Sequence, residues 1–351
     1  MSKRLWNFWV RFVPALLLLA CGSPSPPAAP SSTSEAKVLR LGATPWVPFT
    51  AEVGEPRVAS YLVERALERA NYLAQMEIVA DGALTPDLKE GRLDGSPALW
   101  KTAEREEYLL YSEPYLENRL LLVGRAGTDV SATSFGALAG KRIAIVEGYA
   151  YGPELESEKD PVFVRVKSAQ ENLRALISGQ VDYCLLDALV VEFLFEHYPK
   201  QSAERLAVGS KPLVRRSLHF AVRKALPDAA TIIQRFNDVV RGMVRDGTYN
   251  LALQVTWINA DVDGDGRSEL VRSGELVGTA PPTRSYVLFQ NTTEGSPATG
   301  APSVVTVEEQ TRYYVNGRAY NSWEEIPDSL KLQPGGNQVG AGHPQVKLIE
   351  W

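Results

Sequence analysis

Acidic residues recur at alternate positions in one short segment of the chain. The segment DVDGDGRSE contains four of them: Asp261, Asp263, Asp265 and Glu269. Calcium binds about six to eight oxygen atoms, so these carboxylates could converge on one ion, joined by the backbone carbonyl of Arg267. The twelfth position is Arg272 instead of the glutamate that completes an EF-hand loop. We therefore expect an incomplete calcium loop over 261–269 with a structural role. A solvated acidic turn is the alternative.

Two charged residues follow predicted strands, at the sheet edge where open α/β folds bind ligands. Arg105 lies at a predicted helix start, three positions after Thr102. A guanidinium can bind a carboxylate through two parallel hydrogen bonds, and the Thr102 hydroxyl could add a third. Asp187 ends an apolar strand, where its carboxylate could bind an ammonium group or instead cap the next helix. Arg105 could equally be a surface arginine among its neighbouring glutamates.

Aromatic residues lie in loops at the same strand ends. The candidates are Trp46, Phe49, Trp100, Tyr149 and Tyr151. Apolar and aromatic walls with a few polar groups are typical of small-molecule sites. We expect some of these rings, Trp46 and Trp100 first, to contact a ligand side chain, although each could also serve packing alone.

The first 20 residues have the pattern of a secretory signal. They contain three basic residues and no acid, and their apolar run is too short for a permanent membrane span. The sequence Leu18-Leu19-Ala20-Cys21 resembles the bacterial lipoprotein cleavage box, after which the cysteine is acylated, for example with palmitate. Residues 21–36 are rich in proline, serine and alanine and predict a flexible tether. We expect a lipid-anchored protein of the cell envelope, on the outer side of a membrane. A plain signal peptide is the alternative.

Composition excludes several classes of protein. The chain has 351 residues, of which 44% are hydrophobic and 23% charged, as in an ordinary globular protein. A net charge of −5 argues against nucleic acid as the main partner. Three histidines and two cysteines argue against a histidine-rich zinc site and a disulfide framework. We expect a monomer.

Strand and helix patterns alternate from residue 37 to about 258. Strands are predicted over 38–41, 76–80, 92–99, 141–146 and 181–186, and helices over 57–72, 85–90, 169–178, 189–196 and 229–254. This alternation predicts an α/β fold with a mainly parallel sheet, repeated as two lobes. Helical periodicity ends near Thr256, and short β-rich pieces follow. Residues 259–351 therefore predict a separate, mainly β module.

Six stretches of residues 37–258 carry a family resemblance. In chain order they are LRLGATPWVPF, GRLDGSPALWKTAER, YSEPY, GKRIAIVEGYAYG, GQVDYCLLD and RDGTYNLALQVTW. Together they resemble the polar-amino-acid-binding family of periplasmic solute receptors. The resemblance implies the type II periplasmic binding protein fold, in which a hinge joins two α/β lobes around a cleft. It places lobe 1 at about 37–124 and 215–258, and lobe 2 at about 125–214.

The same resemblance implies roles for the candidate residues. Arg105 matches the arginine that binds the ligand carboxylate, and Asp187 matches the aspartate that holds the α-amine. Gly148 and Tyr149 match the segment that offers backbone N–H groups to the carboxylate. Trp100 stands where the family has a ligand-contacting serine. This departure leaves open a ligand that is larger, more apolar or not an amino acid.

The implied function is capture of a small solute, an amino acid or related carboxylate, for the permease of an ABC importer. No enzymatic activity is expected. A sensory or envelope-associated protein with a repurposed cleft is one alternative. An enzyme such as a dehydratase is another, with Glu147 as its cleft acid. A peptidoglycan lyase would need a helical catalytic domain, and residues 259–351 are too short and too β-like for one.

Overall fold

The computed structural model describes residues 36–331, apart from 153, 154, 156, 264, 266, 273–277, 283, 288–303 and 307–310. The predicted signal peptide, Cys21 and most of the tether lie outside the described residues. In the ranges that are described, no helix is long and apolar enough to cross a membrane.

The first lobe has a core of three parallel strands covered by helices. Its elements begin with β1 (Lys37–Ala43), α1 (Val58–Arg69), β2 (Tyr72–Ile78), α2 (Leu84–Glu90), β3 (Gly95–Trp100), α3 (Ala103–Glu106), β4 (Leu109–Tyr111) and β5 (Leu116–Arg125). β1 pairs in parallel with both β2 and β3. Leu39 and Leu41 of β1 and Leu62 of α1 are fully buried in one hydrophobic core. Burial of these apolar faces holds α1 on the sheet.

The second lobe repeats this arrangement. Its elements are β6 (Arg142–Val146), β7 (Val162–Val166), α4 (Ala169–Ile177), β8 (Tyr183–Asp187), α5 (Ala188–His197), α6 (Pro199–Arg205) and β9 (Leu206–Arg223). β6 pairs in parallel with β7 and β8. The Ser168 hydroxyl caps α4 by accepting the Glu171 N–H at 3.2 Å. Cys184 of β8 is fully buried, and burial raises the pKa of its thiol.

Two long antiparallel strands, β5 and β9, join the lobes. β9 also pairs with β3 and β5 also pairs with β8, so the strands form one sheet in the order β2-β1-β3-β9-β5-β8-β6-β7, with β4 beside β9. A buried charge cluster lies on the paired strands. Glu117 of β5 accepts hydrogen bonds from Arg119 at 2.7 Å and from Arg215 of β9 at 2.6 Å. These contacts fix the two strands to each other at the crossing between the lobes.

Two helices return the chain to the first lobe, and a second sheet follows them. α7 (Ala229–Asp246) and α8 (Thr248–Leu253) pack on α1. The second sheet contains β10 (Ile258–Ala260), β11 (Glu269–Arg272), β12 (Arg284–Val287), β13 (Val304–Thr306), β14 (Arg312–Val315) and β15 (Arg318–Tyr320). Its strand order is β13-β12-β10-β11-β14-β15. Trp257, Tyr313 and Trp323 lie in its own small core.

The predicted two-lobed α/β fold with a small β module is confirmed. The predicted break in the last long helix is also confirmed, because Gly247 ends α7 with a φ of 75°. Strand β2 begins four residues and ends two residues earlier than the 76–80 prediction, since Tyr72 pairs with Lys37 at the start of β1. The domain boundaries themselves stay predictions.

Candidate functional site

A cleft lies between the two lobes at the carboxyl ends of their parallel strands. Its cavity volume is about 150 Å³, and it opens to solvent. The first lobe contributes Trp46, Asp81, Trp100 and Arg105, and the second contributes Glu147, Gly148, Tyr149, Lys167 and Ser168. The loops after β1, β2 and β3 therefore face those after β6 and β7, as expected for ligand sites at sheet edges.

Arg105 lies in the first turn of α3, on the first-lobe wall of the cleft. Thr102 caps this helix, and its hydroxyl accepts the Arg105 backbone N–H at 3.1 Å. The hydroxyl thus bonds to the helix end, and Thr102 is not among the residues that line the cleft. The Arg105 guanidinium donates to the Trp100 carbonyl at 3.0 Å and, across the cleft, to the Gly148 carbonyl at 3.5 Å. A group able to bind a carboxylate is therefore held where the lobes meet.

The predicted aromatic residues come together at the centre of the cleft. The ring centroids of Trp46, Trp100 and Tyr149 lie 5.6, 5.6 and 5.5 Å apart in edge-to-face pairs. Tyr151 contacts Trp100 at 5.6 Å. Phe49 is fully buried behind Trp46, with their centroids 4.3 Å apart. Three rings thus form the wall, and Phe49 supports one of them from the core.

The loop after β6 carries Gly148 and Tyr149 into the cleft. Gly148 has a φ of 76°, a conformation that favours glycine. The Tyr151 hydroxyl accepts the Val146 N–H at 2.9 Å, and Arg216 of β9 donates to the Ala150 carbonyl at 3.1 Å. These two bonds tie the loop to β6 and to the strand that joins the lobes. Burial, with smaller effects of Tyr151 and Asp81, raises the pKa of the Tyr149 hydroxyl.

Both carboxylate oxygens of Asp187 accept hydrogen bonds from the protein itself. One carboxylate oxygen accepts the Leu189 N–H at 2.8 Å and so caps α5. The other accepts the Arg119 N–H at 2.8 Å and the Asn118 side-chain amide at 3.1 Å. Burial raises the pKa of this carboxyl to about 7, although its hydrogen bonds and Arg119 act to lower it. Helix capping, one of the two expectations, is observed. The contact with a ligand ammonium stays a prediction.

Asp81 and Lys167 line the cleft, and sequence reasoning did not select them. Asp81 lies beyond the end of β2, and Lys167 directly follows β7. Neither belongs to a recognisable motif. Both residues follow strands that pair in parallel, and this position at the edge of the sheet could have identified them as candidates.

The acidic segment forms the connection between β10 and β11. One carboxylate oxygen from each of Asp261, Asp263 and Asp265 lies within 4.8 Å of the others. Arg312 of β14 pairs with Asp263 at 2.9 Å, with Asp265 at 2.8 Å and with the buried Glu269 at 2.9 Å. The all-oxygen donors fit a hard cation such as calcium, and the Arg312 guanidinium supplies the countercharge.

Comparison with known proteins finds relatives of part of the chain. No family model matches the chain. A putative ABC transporter arginine-binding protein 2 of Escherichia coli (strain K12) is 29% identical over 170 residues, which are 48% of this chain and 67% of that protein. A membrane-bound lytic murein transglycosylase F of Idiomarina loihiensis is 26% identical over 206 residues, which are 56% of this chain and 45% of that protein. The chain thus spans less than half of the second relative.

Solved structures share the fold. An arginine 3rd transport system periplasmic binding protein from Legionella pneumophila gives a TM-score of 0.53 at 22% identity and covers 62% of this chain and 98% of its own. An ancestral arginine-binding protein bound to arginine gives a TM-score of 0.53 at 21% identity, with coverage of 63% and 98%. The chain therefore has the type II periplasmic binding protein fold. The Escherichia coli relative is named as a binding protein, and the match to the transglycosylase covers only 45% of that enzyme.

Proposed function

We propose that this chain is an extracytoplasmic receptor that binds a small carboxylate solute of the amino-acid class and presents it to an ABC importer. The observation that carries the proposal is the Arg105 guanidinium in a cleft lined by both lobes. The relative named as an ABC transporter arginine-binding protein supports the ligand class and the importer.

Arg105 binds the ligand carboxylate in this proposal. Its bond to the Trp100 carbonyl orients the guanidinium plane. Its 3.5 Å contact with the Gly148 carbonyl is at the limit of a hydrogen bond, so a carboxylate can replace it and accept two charge-assisted bonds. Because Arg105 and Gly148 belong to different lobes, a ligand between them favours the closed arrangement.

The aromatic wall strengthens this interaction. With a ligand bound, Trp46, Trp100 and Tyr149 would shield one side of the guanidinium from water. The attraction between opposite charges is stronger when water is excluded, since the local dielectric falls. The paired strands β5 and β9 supply the hinge, because among the strands that the structure describes they continue the main sheet from one lobe to the other.

The N-terminal segment supplies the anchor in this proposal. Residues 1–20 are removed as a signal, Cys21 carries the lipid, and residues 21–36 form the tether. A flexible chain of this length spans roughly 20 Å or more, and proline makes it longer. The receptor can then reach a permease in the same membrane without leaving the surface.

Calcium is proposed as a structural ligand of the C-terminal module. Asp261, Asp263, Asp265 and Glu269 would hold it through carboxylate oxygens, with the backbone carbonyl of Arg267. The ion would replace the Arg312 guanidinium as the countercharge of the loop. Its expected effect is to stabilise the connection between β10 and β11.

A thermal-shift screen tests the proposed function. The purified full-length protein is melted with each of the twenty amino acids and with simple carboxylates, in calcium and in chelator. A ligand that binds only the folded state raises the melting temperature. We expect a rise with one amino-acid class that disappears in Arg105→Ala and remains in Arg65→Ala, whose arginine is exposed on α1. An unchanged rise in Arg105→Ala would contradict the assignment of the site.

A further inference from the structure

A second cavity, which we call the side chamber, lies next to the cleft. Its volume is about 150 Å³, the same as that of the cleft. The first lobe contributes the loop after β1, and the second lobe contributes α4, β8 and α5. The side chamber is defined by five apolar residues, each between 1% and 8% exposed: Val47, Leu173, Leu186, Val190 and Leu194.

The side chamber and the cleft share a boundary. Trp46 lines the cleft and the next residue, Val47, lines the side chamber, so the loop after β1 separates the two cavities. Three residues line both of them: Pro45, Asp81 and Ser168. The cavities therefore meet beside these shared residues.

A small solute can extend from Arg105 to this boundary. The Arg105 guanidinium and the three shared residues line the same cleft, whose volume is about 150 Å³. An apolar cavity of about this volume holds a molecule the size of benzene. A solute that fills the cleft from Arg105 thus reaches the shared residues, and a longer one continues into the side chamber.

The side chamber suits an apolar group. Its inner wall is built of valine and leucine side chains, whereas its polar residues include the exposed Asp81 and Gln170. A charged group inside would lose its hydration and find no polar partner on that wall. An apolar group gains about fourfold in affinity for each methylene that it buries.

Both lobes are needed to build the side chamber. Val47 of the first lobe packs with Ala51 of the same loop and with Phe193 of α5 in a small buried cluster. This contact joins the two lobes beside the chamber. An apolar group inside the chamber touches both lobes, so its burial favours the closed arrangement.

We infer that the side chamber binds the apolar end of the solute whose carboxylate is held by Arg105. The inference rests on the proposed function and narrows the solute to amino acids with an alkyl or aryl side chain. Asp187 lines a separate cavity of about 20 Å³ with Trp46, Trp100 and Tyr149. It therefore stays available to the α-ammonium group of the same ligand.

Calorimetric titration of the full-length protein with matched amino acids tests this inference. L-Norleucine and L-lysine have the same carbon chain and differ in the terminal ammonium group of lysine. L-Alanine lacks the last three carbons of that chain. We expect L-norleucine to bind about fiftyfold more tightly than L-alanine, because these carbons are buried. It should bind at least about tenfold more tightly than L-lysine, whose ammonium group would lose its hydration.

A variant that fills the side chamber assigns this preference to its place in the fold. Leu173 lines the side chamber and does not line the cleft. Leu173→Trp should lower the ratio of L-norleucine affinity to L-alanine affinity by about tenfold or more, because the larger ring occupies the space. Val162→Trp is the matched control, since this exposed residue of β7 lines neither cavity. It should leave the ratio unchanged.

The outcomes separate the inference from the proposed function. If L-lysine or L-alanine binds as tightly as L-norleucine, or if a folded Leu173→Trp keeps the wild-type ratio, the inference is overturned and the proposed function stands. If none of the twenty amino acids and no simple carboxylate binds, the proposed function fails and the inference fails with it. The ligand comparison uses wild-type protein, so it decides the matter even where a variant does not fold.

Discussion

Replacing Trp100 with phenylalanine isolates one buried hydrogen bond. Trp100 is only 5% exposed, and its indole N–H donates to the Asn118 side-chain carbonyl at 2.7 Å. Phenylalanine keeps an aromatic ring beside Trp46 and Tyr149 but has no donor. A buried acceptor left without its donor costs about 1–3 kcal/mol. We therefore expect Trp100→Phe to lower the free energy of unfolding by that amount.

Replacement of Trp100 with alanine should cost more. It removes the same hydrogen bond and also the ring that contacts Trp46, Tyr149 and Tyr151. Loss of a large buried aromatic side chain costs about 3–5 kcal/mol, because the cavity that remains collapses only in part.

Denaturant unfolding followed by circular dichroism measures both variants. Trp46→Phe is the control, because Trp46 is half-buried and its indole N–H makes no hydrogen bond to any residue within the described ranges. It should cost less than about 1 kcal/mol. Equal losses of unfolding free energy in Trp100→Phe and Trp46→Phe would refute this reasoning. They would show that the hydrogen bond between Trp100 and Asn118 adds no stability beyond that of the ring.

Three further predictions concern other parts of the molecule. Burial raises the pKa of the Asp187 carboxyl to about 7, so the folded state keeps this proton to higher pH than the unfolded state does. The free energy of unfolding of wild type should therefore fall by up to about 4 kcal/mol between pH 4 and pH 8. Denaturant unfolding across this range should show the loss in wild type and not in Asp187→Asn; equal pH dependence would contradict it. Arg312→Gln should lower the stability measured in chelator and raise calcium affinity, because it removes the competing countercharge of the acidic loop. Calorimetry with calcium checks this, and no calcium binding by either protein would argue against the metal site. Gly95→Ala should cost about 1–3 kcal/mol or more, since its Cβ would lie 2.2 Å from the Ala221 carbonyl oxygen, whereas Gly136→Ala meets nothing within 4 Å and should change stability by less than about 0.5 kcal/mol.

Regular periodicity made most of the lobes predictable from sequence. The helix α1 and the strands β6 and β8 show uninterrupted 3.6-residue or apolar patterns, and the structure has them close to the expected positions. Gly247 marked the break between α7 and α8, because glycine ends a helix in the left-handed conformation. Local sequence patterns are enough to predict these features.

The long strand β9 was not predicted because its pattern is interrupted. It contains Pro212, Arg215 and Arg216 within a largely buried run. The buried Arg215 is stable there because the Glu117 carboxylate of β5 accepts its hydrogen bond. That partner is about a hundred positions away in sequence, and residue patterns within one segment carry no information about it.

Some residues of the candidate site can be predicted from their own segment, whereas others depend on partners that are distant in sequence. Arg105 and the aromatic residues were found from their positions after strands. The state of Asp187 depends on Asn118 and Trp100, and the countercharge of the acidic loop depends on Arg312. Each of these partners is remote in sequence, so only the folded structure brings it into contact.

The most direct test of the central claim is a calorimetric titration of the full-length protein with the amino acid that gives the largest thermal shift. We expect one ligand per chain, and an affinity at least about a hundredfold weaker in Arg105→Ala, because two charge-assisted hydrogen bonds to the carboxylate are lost. Binding of equal strength in Arg105→Ala, or no binding of any amino acid by wild type, would contradict the claim that this cleft is a solute-binding site built around Arg105.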